Sequence, residues 1–236
     1  MRAAVLIAAN FVREQRWVVI LLLFWVVGSG LLSGVVGDRI SEDDLLFFLK
    51  QQAIYGVSIG SFLAATAVHN ERRSRRILAV LSKAVSQSEY LAGLLLAVVA
   101  ILAAYCLIMG VIGAWVLIRA GLPPASLWFF VIATFATALL TASLTLLFST
   151  VLPPVVALAA TAILVSLPAA VAAFAGPAVL HVLPAYSLIS QMFRFSLHAT
   201  WTPNWSLVAI AFGEAILAWL IASLIFSRRD VAVAVE

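Results

Sequence analysis

Six apolar runs constrain this chain more than any other feature of it: residues 17–36, 45–68, 91–118, 127–148, 151–175 and 205–226. A helix rises about 1.5 Å per residue, so roughly 20 apolar residues match the ~30 Å hydrocarbon core of a bilayer. In water these runs would have to bury one another, and the composition does not permit it. Of 236 residues, 65% are hydrophobic and 10% charged, against roughly 45–50% and 25% in soluble domains. A soluble globule and a disordered chain are excluded. A disulfide scaffold is excluded too, since Cys106 is the single cysteine. The runs lack the apolar/polar alternation over roughly ten residues that a barrel strand needs. The reading is an all-α membrane protein, one transmembrane domain over 1–236 with six transmembrane helices.

The punctuation between runs agrees. Pro153 and Pro154 separate spans four and five, because proline ends a helix and restricts the residue before it. Ser41 with Asp44, and Ser86 with Glu89, match capping boxes where spans two and three must begin. Residues 1–16 are too short and too basic at their end for a cleaved signal and read as an interfacial helix. Its apolar face is Val5, Ala8, Ala9 and Val12, and Arg13, Glu14 and Arg16 crowd its end. Pro168, Pro177 and Pro184 interrupt the chain around and beyond the end of span five, which predicts short outer or re-entrant helices in the outer segment 176–204, before span six.

Charge sets the orientation. With both termini cytoplasmic, the inner side holds ten basic residues: Arg2, Arg13, Arg16, Arg72, Arg73, Arg75, Arg76, Lys83, Arg228 and Arg229. The outer side holds four: Arg39, Lys50, Arg119 and Arg194. This is a positive-inside split. Trp17, Trp128, Trp201 and Trp205 fall near span ends, where aromatic anchors sit.

The cytoplasmic loop 69–90 reads HNERRSRRILAVLSKAVSQSEY. Ile77, Val80, Leu81, Ala84 and Val85 recur at helical spacing behind Arg72, Arg73, Arg75 and Arg76, giving a short amphipathic helix at the membrane surface. The arginines anchor topology and meet anionic lipid, or they grip a protein partner, since the guanidinium fork binds carboxylates with fixed geometry.

Glu71-Arg72-Arg73, Ile77-Leu78, Leu81-Ser82, Val85-Ser86 and Glu89-Tyr90-Leu91 followed by Gly93 resemble the ABC-2 type exporter permeases, as does the ending Phe226-Ser-Arg-Arg-Asp230. The layout of the whole chain is similar to that family as well. The chain departs from the family's frequent Gly-Thr at Arg75-Arg76 and its frequent proline at Ala84. The resemblance implies the membrane subunit of an ATP-driven exporter, working as a homo- or heterodimer in a prokaryotic plasma membrane. It implies that Glu71, Arg72, Arg73, Arg75, Arg76, Ile77, Val80 and Leu81 form a coupling helix that docks on a separate ATPase subunit. The chain has no G-x-x-x-x-G-K-[ST], so it carries no P-loop of its own. ATP and magnesium would then sit on the partner; this chain is expected to hold no cofactor or metal, perform no catalysis and bind no nucleic acid.

Within the membrane, Glu214 lies midway along span six, where a carboxylate costs about 2.5 kcal/mol or more unless protonated, paired or hydrated. It faces either a transport cavity or a neighbouring helix. Thr134, Thr137, Thr141, Thr145 and Ser149 form a hydroxyl stripe about 22 Å long. The stripe either wets a passage for a polar head group or bonds back to its own helix. Gly30 with Gly34, and Gly56 with Gly60, suit close helix packing, between spans one and two or across a dimer interface. Gly56-Val-Ser-Ile-Gly60 also spells G-x-S-x-G, but a hydrolase elbow needs a strand–turn–helix setting. His69, His181 and His198 lack metal-ligand spacing. Two rival functions remain: a secondary carrier, which needs ion-coupling charges or broken helices near the midplane in both halves, and a non-transporting scaffold that recruits a cytoplasmic partner.

Overall fold

In the computed structural model the described residues are 2–35, 41–73, 86–175, 184–197 and 202–228, and they form eight helices and no strand. The helices are α1 Arg2–Glu14, α2 Arg16–Val35, α3 Glu42–Arg73, α4 Gln87–Arg119, α5 Ala125–Ser149, α6 Pro154–Ala175, α7 Pro184–Phe193 and α8 Trp205–Arg228. Four of them, α2, α4, α5 and α8, are long and apolar enough to cross a membrane. The expected runs 45–68 and 151–175 are helical as α3 and α6. Lys50, Gln51 and Gln52 interrupt the apolar run of α3, and the described apolar stretch of α6 covers Pro154–Ser166.

Helix ends follow local chemistry. The Ser41 hydroxyl accepts from the Asp44 amide at 3.2 Å, and the Ser41 amide donates to the Asp44 carboxylate at 3.3 Å. Ser86 caps α4 by accepting from the Glu89 amide at 3.2 Å. After α4 the Leu122 amide bonds the Leu117 carbonyl at 2.9 Å and the Gly121 amide bonds that of Ile118 at 3.1 Å. This is a Schellman motif, and it needs the left-handed φ of 72° that Gly121 supplies at little cost. Pro123 and Pro124 then bar any continuation. The break at Pro153-Pro154 is where the sequence places it: α5 ends at Ser149, and α6 starts with proline in its first turn.

The most buried long helix is α5, which packs on α3 and α8 more extensively than any other pair of helices in the bundle. Large hydrophobic side chains cover the outside: Phe24 on α2, Phe47 on α3 and Val155 on α6 are each at least 70% exposed. A contiguous apolar exterior of this kind suits a lipid solvent rather than water. Trp17, Trp128 and Trp205 are exposed close to the starts of α2, α5 and α8, as interface anchors require.

Two groups of contacts define the ends of the bundle. At one end α1 lies against the start of α4, with Ala4 and Ile7 closing over Gly93. At the same end the side-chain amide group of Gln87 lies against the Phe226 and Ser227 carbonyls, within hydrogen-bonding reach at 3.0 and 3.2 Å. At the opposite end Phe129 stacks edge-on against Trp205 with ring centroids 4.9 Å apart. The chain therefore gathers α1, the start of α4 and the finish of α8 on one side.

Two sequence expectations need correction. On α1 the packed residues are Ala8 and Phe11, with Val12 partly buried, whereas Val5 and Ala9 face outward. Helical spacing alone did not say which edge of the stripe would meet α4. The glycine pairs do not join α2 to α3. A Cβ on Gly30 or Gly34 would run into Ile112 or Trp115, and one on Gly56 or Gly60 into Tyr105 or Leu102. All four glycines therefore seat side chains of α4, and within this chain the notches are filled.

Candidate functional site

Two adjoining cavities of about 710 and about 210 Å³ run along a cleft whose walls are α3, α6 and α7 and whose floor is α5. Val57, Ser58, Val165, Ile189 and Phe193 border both. The larger is lined by the hydroxyl residues Ser58, Ser61, Thr141, Thr161, Ser166 and Ser190, set among apolar side chains that supply most of its surface. Each wall contributes a basic or hydroxyl group: Lys50 borders the smaller cavity from α3, and Arg194, just beyond α7, borders the larger. Ser58, Ala159, Ala162 and Phe193 are exposed, so the cleft is open along one side.

The geometry of α7 is set by its sequence. Pro184 starts it, and Leu188 and Met192 turn inward while Phe193 remains exposed. The Thr137 hydroxyl contacts the Met192 sulfur at 3.3 Å, and Phe195 packs on Phe130 with centroids 4.7 Å apart. These contacts lay the expected short helix of the outer segment over α5. Residues 176–183 and 198–201, with His181, His198 and Trp201, lie outside the described residues.

The hydroxyl stripe of α5 is buried throughout. Thr134, Thr141 and Thr145 donate to the Phe130, Ala138 and Thr141 carbonyls at 2.8, 3.1 and 2.7 Å. Thr145 also meets the Thr161 hydroxyl of α6 at 3.0 Å. Back-bonding thus accounts for most of the stripe. Of its four threonines, Thr137 and Thr141 reach the cleft.

Glu214 is half-buried on α8, between Ala211 and Ala218 of the face that packs inward. It is engaged within the chain and does not line either cavity of the cleft. Glu214→Gln should keep the melting temperature, because the amide fills the same space without a buried charge. Glu214→Leu should destabilise by about 1–3 kcal/mol, the usual cost of leaving a buried group unsatisfied. Equal thermal melting of the leucine variant and the parent would remove Glu214 from the structural core.

A polar relay across three helices escaped the sequence reading. The Tyr105 hydroxyl on α4 donates to the Gln52 backbone carbonyl at 2.7 Å and approaches its side-chain oxygen at 3.2 Å. The Gln52 amide donates to the Ser29 hydroxyl on α2 at 3.0 Å, and Ser29 donates to the Trp25 carbonyl at 2.6 Å. Gln52 and Tyr105 are almost fully buried. The available signal was a glutamine pair inside a span, which must find partners in a medium without water.

Of the coupling residues, Glu71, Arg72 and Arg73 form the last turn of α3. Arg75, Arg76, Ile77, Val80 and Leu81 lie outside the described residues, as does Asp230 of the closing motif. Ser58 of the G-x-S-x-G match sits inside α3, with no strand or turn beside it in that helix. No family model matches the chain, and no curated protein matches it.

Proposed function

We propose that this chain is the permease subunit of an ATP-driven exporter of the ABC-2 type. In this reading α2, α3, α4, α5, α6 and α8 all cross the bilayer, with both termini cytoplasmic in a prokaryotic plasma membrane. Two permease subunits form the path, and two separate ATPase subunits bind ATP and magnesium below it. The loop between α3 and α4 is the coupling element. Through Glu71, the four arginines and the apolar face at Ile77, Val80 and Leu81 it would pass ATPase closure to the helices that wall the cleft.

The observation that carries the reading is the grouping of helix ends. The start of α4, which follows the arginine-rich loop, shares one end of the bundle with α1 and with the finish of α8. A partner that grips this loop therefore pushes on α3, α4 and the N-terminal helix together. The loop's basic residues favour the inner side for that end under the positive-inside rule. A secondary carrier would favour interrupted helices, whereas α4, α5 and α8 run unbroken.

The test is co-purification. The chain, co-expressed with candidate Walker-motif ATPases of its host, should pull one of them down and yield ATP turnover sensitive to vanadate. Failure to associate in detergent and in lipid discs would refute the permease assignment.

A further inference from the structure

The cleft between α3, α6 and α7 has a chemical bias that the permease reading alone does not supply. Its two cavities, about 710 and about 210 Å³, together fall in the range of roughly 300–1,000 Å³ typical of small-molecule sites. The surface of the lining is mostly apolar, although hydroxyl residues from α3, α5, α6 and α7 are spread along it. The two side chains that carry charge at its border, Lys50 and Arg194, are both cations. Among the described residues neither has a carboxylate partner. Lys50 is half-buried, eight residues into α3 and so about 12 Å from its start. An ammonium held at that depth beside Ile54, Phe130 and Met192 gains from any anion that replaces lost hydration.

We propose that the cleft binds an anionic amphiphile drawn from the lipid phase, its acidic head group between Lys50 and Arg194 and its tail along α3 and α6. The inference rests on the permease reading and names the substrate class of that path. Three observations converge on it. The open side lies on the apolar exterior, so entry is lateral and the tail never crosses water. From Lys50 to Ser61 the cleft follows about 16 Å of α3, and most of the surface it presents is apolar, as an acyl chain requires. Cations alone carry charge at its border, so a cationic or neutral head group gains less than a phosphate or carboxylate.

The experiment uses the full chain in discs of phosphatidylcholine, with photoactivatable dodecyl phosphate as the probe. Its trimethylammonium and maltoside counterparts, carrying the same tail, are the comparisons. Dodecyl phosphate should label peptides containing Ser58, Ser166 or Ile189 at least tenfold more than the other two. Lys50→Gln with Arg194→Gln should abolish that preference, and Lys50→Arg with Arg194→Lys should keep it. Equal labelling by all three probes would overturn the inference. So would preference that survives the double glutamine variant, or cross-linking of Ser58→Cys in one copy to the same position in a second copy with labelling lost, which would assign the face to a subunit contact. ATPase association, measured on the same preparations, separates the two levels. Normal association without head-group preference defeats this inference alone, whereas lost association in the parent chain defeats the permease reading.

Discussion

Gly56→Val should lower the stability of the purified chain by about 4 kcal/mol, summing overpacking of roughly 1–3 kcal/mol and a broken buried hydrogen bond of similar size. The reason is geometric. A Cβ at Gly56 would stand 2.6 Å from Cε1 of Tyr105, closer than carbon atoms approach. The aromatic ring would have to move, and its hydroxyl holds Gln52, which in turn holds Ser29. One added side chain therefore disturbs α2, α3 and α4 at once. Gly28→Val and Gly213→Val provide the comparison, since a Cβ at either position meets nothing within 4 Å. Thermal unfolding followed by tryptophan fluorescence should place Gly56→Val far below both. If the three variants melt together, the notch on α3 is not a packing site.

The contrast among glycines also shows what a single sequence can carry. Hydropathy located the helices because burial in lipid acts on each run separately: the ends of α2, α4, α5 and α8 fall within a few residues of the expected bounds. Caps were equally legible, as Ser41 and Ser86 act on atoms three residues away. Partners distant in sequence were not legible. Gly30 and Gly56 look alike in the sequence, yet the knobs that fill them, Ile112 and Tyr105, are side chains of a third helix. A G-x-x-x-G spacing says that something approaches closely and says nothing about what does. The threonine stripe shows the same division. Its period was plain, but which hydroxyls face carbonyls and which face space depends on where α6 and α7 lie. Thr137 and Thr141 ended beside the cleft, and Thr134 and Thr145 did not. The cleft itself was invisible for that reason: Lys50 and Arg194 lie 144 positions apart in the chain and border adjoining cavities only after α7 folds back over α5. Gln52 could have been singled out, because a buried amide in lipid must be answered by another helix.

Charge reversal in the coupling loop should have the largest effect on function. In the proposed complex Arg72 and Arg73 meet carboxylates of the ATPase, and charge-assisted hydrogen bonds contribute about 1.5–3 kcal/mol each. Replacing both by glutamate removes those bonds and adds repulsion. Since 1.4 kcal/mol is about tenfold in affinity, ATPase association should fall by more than tenfold, or hydrolysis should continue without export. Membrane insertion should survive, because Arg75, Arg76 and Lys83 still bias this loop inward. A cysteine at Glu42, labelled from outside with an impermeant reagent, checks that. A loop that only anchors the chain to lipid behaves differently: its reversal changes the dependence on anionic lipid and leaves ATPase association untouched. Pull-down and turnover in neutral and in anionic liposomes distinguish the two. Normal association with normal coupled export in the reversed variant would remove these arginines from the coupling mechanism. If association is lost in neutral liposomes, where no lipid charge competes, the arginines recognise the protein partner, and work from ATP enters the membrane domain through the end of α3.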